Sequence, residues 1–262
     1  MHWLDRLLWL LARVWPTAPA AAWLDEVPRG SGTIGPGWPA RHAAERGLSL
    51  TPSPDGGLVP DLSVLAHVGP VDPRIRLFYE HTGRFELSIA VRWRGPLWLG
   101  AWAWARLYGR RWGQLEMPTA SDVALTNEVL ALGDEGTLWL RRYAGTDRAL
   151  YISRYDLTEM PAEPAPCVRI TFPVPGGAWV VLFRAAAYGD GGLLLTEEGG
   201  APGGPGLYLV PTDGQPRYVR ALREAIAVWP TPDGVEALHT FDLWGVRILE
   251  LRYGIPQRAE GT

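Results

Sequence analysis

Between residues 123 and 253 the chain is a succession of short apolar–polar alternating segments, each ended by a glycine- or proline-containing turn. Successive side chains of a strand point to opposite faces, so alternation with period two marks a strand with two different environments. The segments are 123–132, 137–143, 149–156, 167–172, 178–186, 192–197, 206–210, 217–229, 235–243 and 246–253; of these, 217–229 also admits a helix, since alanine and leucine are frequent in it and prolines flank it. Gly133-Asp134-Glu135-Gly136, Pro175-Gly176-Gly177, Gly189-Asp190-Gly191-Gly192 and Pro232-Asp233-Gly234 between them are hairpin signals. Consecutive hairpins build a meander, and a meander left open exposes two unpaired edges that closure removes. The expected fold is α+β, mainly antiparallel β: a meander sheet curled into a barrel or half-barrel, with a few helices near the start.

One domain is expected over residues 1–262, with 1–84 mostly helix and loop, and 85–255 β-rich apart from one helix near 96–112. Leu4, Leu7, Leu8, Leu11 and Trp15 recur at helical spacing, with Asp5, Arg6 and Arg13 off that stripe, and Pro16 ends the pattern. The apolar run is too short, and Asp5 and Arg13 too ill-placed, for a signal peptide, so a cytoplasmic protein is expected. No stretch has the roughly 20 apolar residues that cross a bilayer. A short helix fits 39–46, stopped by Gly47. Asp72 and Pro73 open another, with Ile75, Phe78, Tyr79 and Thr82 on one face. Residues 85–92 read as the first clear strand. In 96–112, Leu97, Ala101, Trp104 and Tyr108 line one side, and Trp98, Trp102 and Ala105 widen the apolar face.

Several chemistries are excluded. Cys167 is the only cysteine, so neither an internal disulfide nor a cysteine-based zinc cluster can form, and its strand setting suits a small core residue. All 25 basic residues are arginine, which rules out Schiff-base and P-loop lysine mechanisms. The net charge of −3 gives no basic field for nucleic acid. His2, His42, His67, His81 and His239 show no ligand spacing, so no metal is expected, and no cofactor motif is present.

The candidate ligand-binding residues are His239, Arg220, Glu224, Tyr79, Trp98, Trp102 and Trp179. Alternation in 235–243 places His239 with Val235, Ala237 and Phe241, facing inward. Such a histidine is commonly a satisfied core residue; the sharper alternative is an acid–base or ligand-facing group. Arg220 and Glu224 share a face with Leu222 and Ile226. If that face is internal the two charges must pair, and an inward arginine could hold an anionic headgroup; otherwise they form an exposed ion pair. Tyr79, Glu80 and His81 cluster at a helix end, where adjacent residues point different ways. The 14 tryptophans suit core packing, a cavity lining or an interface.

Asp72-Pro73-Arg74-Ile75-Arg76-Leu77-Phe78-Tyr79-Glu80-His81-Thr82, then Trp93-Arg94-Gly95-Pro96, then Arg110-Arg111-Trp112-Gly113-Gln114-Leu115-Glu116-Met117-Pro118, resembles an uncharacterised bacterial group and the soluble region of YndJ-like membrane proteins. The resemblance implies a bacterial source and transfers no site residues. The functional expectation is a non-enzymatic protein that binds an apolar or amphipathic small molecule, a lipid among the candidates, in a β-sheet cavity. Two alternatives stand beside it: an enzyme using His239 or the Tyr79/His81 cluster, and a tryptophan-rich module for protein or peripheral membrane contact through 1–15 and 96–112.

Overall fold

The computed structural model describes residues 3–19, 22–118, 122–161 and 163–259. His2 and the side chains of Leu4, Leu7, Leu8 and Ala101 lie outside the described residues. The strands are β1 (Leu50–Pro52), β2 (Leu87–Trp93), β3 (Asp122–Leu132), β4 (Thr137–Tyr143), β5 (Ala149–Thr158), β6 (Cys167–Val174), β7 (Gly177–Tyr188), β8 (Gly192–Thr196), β9 (Gly206–Pro211), β10 (Arg217–Val219), β11 (Leu222–Thr231), β12 (Gly234–Leu243) and β13 (Val246–Pro256). Ten of them close into an antiparallel barrel, in the order β2-β3-β4-β5-β6-β7-β8-β11-β12-β13 and back to β2.

Closure depends on a fork in β7. One edge of this long strand pairs with β6 over Gly177–Phe183. The other edge pairs with β9 over Gly177–Leu182 and with β8 over Arg184–Tyr188. Strand β8 carries the ring on to β11, while β9 and β10 leave it as an outer flap. This fork also breaks the segment expected as one strand over 217–229. Its first residues pair with β9 and its later ones with β12, so the chain bends at Arg220 and Ala221 to change partners.

Both barrel faces are covered, which explains strands that are apolar on each side. Inward residues such as Ile89, Val129, Trp139, Tyr155, Val181, Phe183, Leu195, Leu251 and Tyr253 form the main core. Outside, helix α3 (Trp38–Arg46) lays Trp38 and Ala43 on Leu130, Leu138, Leu140 and Ile152. Trp23, Leu24 and Val27 cover Val180, Leu182, Tyr208 and Cys167 on the flap side. Burial there pushes the Cys167 thiol up to about 11, so it stays protonated as an inert core group.

Each end of the barrel has a plug. At the lower end, α4 (Pro73–Glu80) is capped by Asp72, whose carboxylate accepts from the Arg74 amide, and it buries Ile75, Phe78 and Tyr79. The turn after it packs so closely on Pro54 that a Cβ on Gly83 would sit 2.1 Å from the Pro54 carbonyl oxygen. At the upper end the stretch expected as one helix over 96–112 is divided into α5 (Trp98–Trp104), a π-turn over Ala105–Gly109 and α6 (Arg110–Trp112). The extra residue of a π-turn rotates the helical residues on its C-terminal side relative to those before it. Trp104, Tyr108 and Trp112 pack against one another, Trp104 and Trp112 also meet Trp179, and Trp98, Leu99, Trp102 and Leu107 are exposed.

The first helix is Trp3–Leu11. Leu11 is exposed, and Asp5 is buried, accepting from Trp112 Nε1 at 2.8 Å. Trp9 bonds the Pro175 carbonyl at 3.0 Å, which docks the helix on the barrel. The loop expected over 51–60 begins with β1, paired to β3. No helix among the described residues is long and apolar enough to cross a membrane.

Candidate functional site

A barrel's interior widens with strand number, and about eight strands already suffice to enclose one small ligand. The ten-stranded lumen here is filled largely by aromatic side chains but not completely. An upper chamber of about 140 Å³ lies among Trp93, Leu115, Tyr151, Phe172, Trp179 and Phe241. A lower one of about 40 Å³ lies among Phe78, Tyr79, Trp139, Ala237 and Tyr253. Arg141, Tyr155, Ile226 and His239 line both and form a waist between them.

His239 faces the lumen, as the alternation of β12 requires. Its partner comes from the neighbouring strand. Ile226 lies opposite His239, which puts Glu224 at the diagonal position two residues along β11. Diagonal neighbours are within reach of long side chains. His239 Nε2 and Glu224 Oε2 are 2.8 Å apart, with the side chains 12% and 9% exposed. Phe241 packs on the imidazole at 4.1 Å between centroids. The pair can exchange a proton with a molecule in the upper chamber, which Glu224 also lines.

Arg141, on β4, is the group that the sequence did not single out. It is 4% exposed. Its guanidinium lies 3.9 Å from the centroid of Trp139 and 4.5 Å from that of Tyr151, and donates to Ser153 Oγ at 3.1 Å. Nε has no partner, and no carboxylate among the described residues is within ion-pair distance. A desolvated cation–π contact is worth about 2 kcal/mol. Removing a guanidinium from water costs several kcal/mol, so the rings alone do not offset its burial. A signal was present in Trp139, Arg141 and Tyr143 on alternate positions, but Leu138 and Leu140 make the opposite face of β4 equally apolar, leaving its inner side undetermined.

The tyrosines of the waist and its surroundings stay protonated. Burial pushes the phenols of Tyr155, Tyr151 and Tyr253 upward, with Arg141 opposing the shift. Tyr151 donates to Met117 Sδ at 3.0 Å, whereas the buried Tyr253 hydroxyl has no partner. Trp179 Nε1, at the top of the upper chamber, is likewise buried without one. Such orphans are rare in packed interiors and mark places where a water or ligand is accommodated.

The other expected residues separate. Tyr79 lines the lower chamber and Trp179 the upper. Arg220 is exposed at the bend before β11 and Glu224 pairs with His239, so of the two arrangements left open, an inward Arg220–Glu224 pair and an exposed one, the structure has neither among the described residues. Trp98 and Trp102 are exposed on the outer face of α5, where ordinary helical spacing sets them roughly opposite the inward-packed Trp104. Tyr79 and His81 do not converge: Tyr79 points into the barrel, while His81 Nδ1 meets the Asp55 carbonyl at 3.0 Å. Among the described residues no three His, Cys, Asp or Glu side chains cluster as metal ligands.

Glu197 follows β8 at the fork and is almost wholly buried, with neither oxygen hydrogen-bonded. The Arg223 guanidinium is 3.6 Å away, outside hydrogen-bond reach. Burial, reinforced by the charge of Glu224, pushes this carboxyl up to about 9 from an ordinary 4.5. The folded chain therefore binds the proton more tightly than the unfolded one. That stabilisation is complete below pH 4.5 and is lost as pH rises towards 9. Glu197→Gln removes the titration at nearly constant shape. Its Tm should exceed that of the parent by roughly 3–10 °C at pH 9 and match it near pH 4.5, by calorimetry at both values. An equal difference at the two pH values would exclude the linkage.

Comparison of the chain with protein-family models, with curated proteins and with solved structures finds no match.

Proposed function

We propose that this chain is a binding protein that holds a small amphipathic molecule in the lumen of its barrel. The observation that supports this most directly is the unfilled, mainly apolar upper chamber inside a closed ring of strands. Its rim residues Trp93, Met117, Phe172, Leu222 and Ile248 are half-buried, which marks a way in. Drug-sized ligands occupy roughly 300–1,000 Å³, whereas an apolar cavity of about 150 Å³ accepts benzene. A chamber of about 140 Å³ therefore favours a single-ring molecule over a fatty acyl chain. A second role, proton transfer to the bound molecule, is favoured by the Glu224–His239 hydrogen bond alone.

Ring-sized probes test this. Benzoate, benzamide and toluene are each titrated while unfolding is followed. A ligand at 100 times its Kd stabilises by about 2.7 kcal/mol, or roughly 5–10 °C for a domain of this size. At least one probe should raise Tm by this mechanism, and Ile226→Phe, which places a ring at the waist, should abolish the shift. Tm values unmoved by every probe, together with native mass spectra showing no retained molecule, would refute the proposal.

A further inference from the structure

We infer that Arg141 is the counter-ion for a carboxylate on the lumen's ligand, so that the ligand class is the ring-sized organic monoanion; this rests on the lumen-binding proposal above. The waist divides the space unequally, with room for a ring above and for little more than a carboxylate below. The lower chamber is lined by Arg141, Tyr155 and Tyr253 and not by Glu224. Two of its polar atoms, Arg141 Nε and the Tyr253 hydroxyl oxygen, are buried donor positions without an acceptor. A carboxylate reaching through the waist supplies an acceptor to both. The planar guanidinium presents parallel N–H groups that match the two oxygens of a carboxylate. Glu224 does not satisfy Arg141 in its place, because its Oε2 meets His239 and Glu224 itself lines the upper chamber alone. The ring then rests among Tyr151, Phe172, Trp179 and Phe241.

Trp139 and Tyr151 hold the guanidinium in place before any ligand arrives. Preorganisation of this kind keeps a costly buried charge for a purpose other than stability. Arg141→Met, which keeps an unbranched side chain and removes the charge, should therefore leave the unliganded Tm unchanged or raised.

Benzoate and benzamide, which are nearly isosteric and differ in charge, separate the possibilities by calorimetric or fluorescence titration. The parent protein should bind benzoate roughly 10- to 100-fold more tightly than benzamide, the range of one charge-assisted contact. Arg141→Met should erase that preference while still binding benzamide, and Tyr253→Phe should weaken benzoate severalfold with no loss of Tm. Equal binding of the two probes by the parent protein, or a preference that survives Arg141→Met, would overturn the assignment and leave the lumen-binding proposal standing. A Tm lowered by more than about 10 °C in Arg141→Met would make the residue a structural strut and overturn it as well. Failure of benzoate, benzamide and toluene alike would remove the lumen-binding proposal itself.

Discussion

Asn127→Leu should destabilise the fold by roughly 3–6 kcal/mol, although leucine is close to asparagine in size and the site is buried. The side-chain amide, on the inner face of β3, donates to the carbonyls of Thr82 at 2.8 Å and Phe85 at 3.1 Å. Its oxygen accepts from Trp139 Nε1. Leucine would leave the Phe85 carbonyl and the Trp139 indole N–H without partners and the Thr82 carbonyl with the Phe85 amide alone, and each unsatisfied buried group costs about 1–3 kcal/mol. Urea titration should show a lower midpoint at unchanged slope, the mark of lost stability without a change of state. A loss below about 1 kcal/mol would mean that water enters and replaces the amide. Asn127→Asp keeps the acceptor and loses both donors, so it should also be strongly destabilised. The floor of the lower chamber would feel either change, because the bonded turn comes directly after Phe78 and Tyr79.

Gln114→Leu should have an effect of similar size, about 3–5 kcal/mol, at the opposite end. Strands β5 and β6 pair from Arg154 and Thr171 downward and separate above. Gln114 fills the gap with its amide. Nε2 donates to the carbonyls of Ile152 at 2.6 Å and Pro173 at 3.2 Å, and Oε1 accepts from the Ile152 amide at 2.8 Å. Pro173 has no N–H, so the ladder could not continue here without such a bridge. Removal would strand the same three backbone groups. It would also release Leu115, held at a φ of +57°, and Met117, both of which line the upper chamber. Acrylamide quenching of tryptophan fluorescence should rise, since Trp104 donates to the Leu115 carbonyl at 3.2 Å. Unchanged quenching with lost stability would confine the effect to the β5–β6 gap.

These two amides show where pattern-based inference stops. Each strand of the barrel is recognisable from alternation and turn residues, because those are local properties of consecutive residues. His239 could be turned inward on the same basis, since one face of 235–243 is plainly more apolar than the other. Arg141 could not, because both faces of β4 are buried, one by the lumen and one by α3. The face of Arg220 was open for another reason. Alternation assumes an unbroken strand, and the chain bends there to exchange β9 for β12. Trp98 and Trp102 are exposed on α5 while Trp104 packs inward, and a helix that is apolar on several sides does not declare which of them it buries.

The covalent order of residues by itself determined the antiparallel hairpins, the helix stop at Gly47, and the absence of lysine chemistry and of an internal disulfide. Tertiary structure alone decided that β7 forks and lets β8 close the ring, that β4 turns Arg141 into the lumen, and that Glu224 meets His239 across two strands. The physical reason is range. Turn conformation and side-chain alternation are set within a few residues, whereas a closed barrel's interior is assembled from strands far apart along the chain. Which of two apolar faces becomes the inside is fixed only when the last strand pairs with the first.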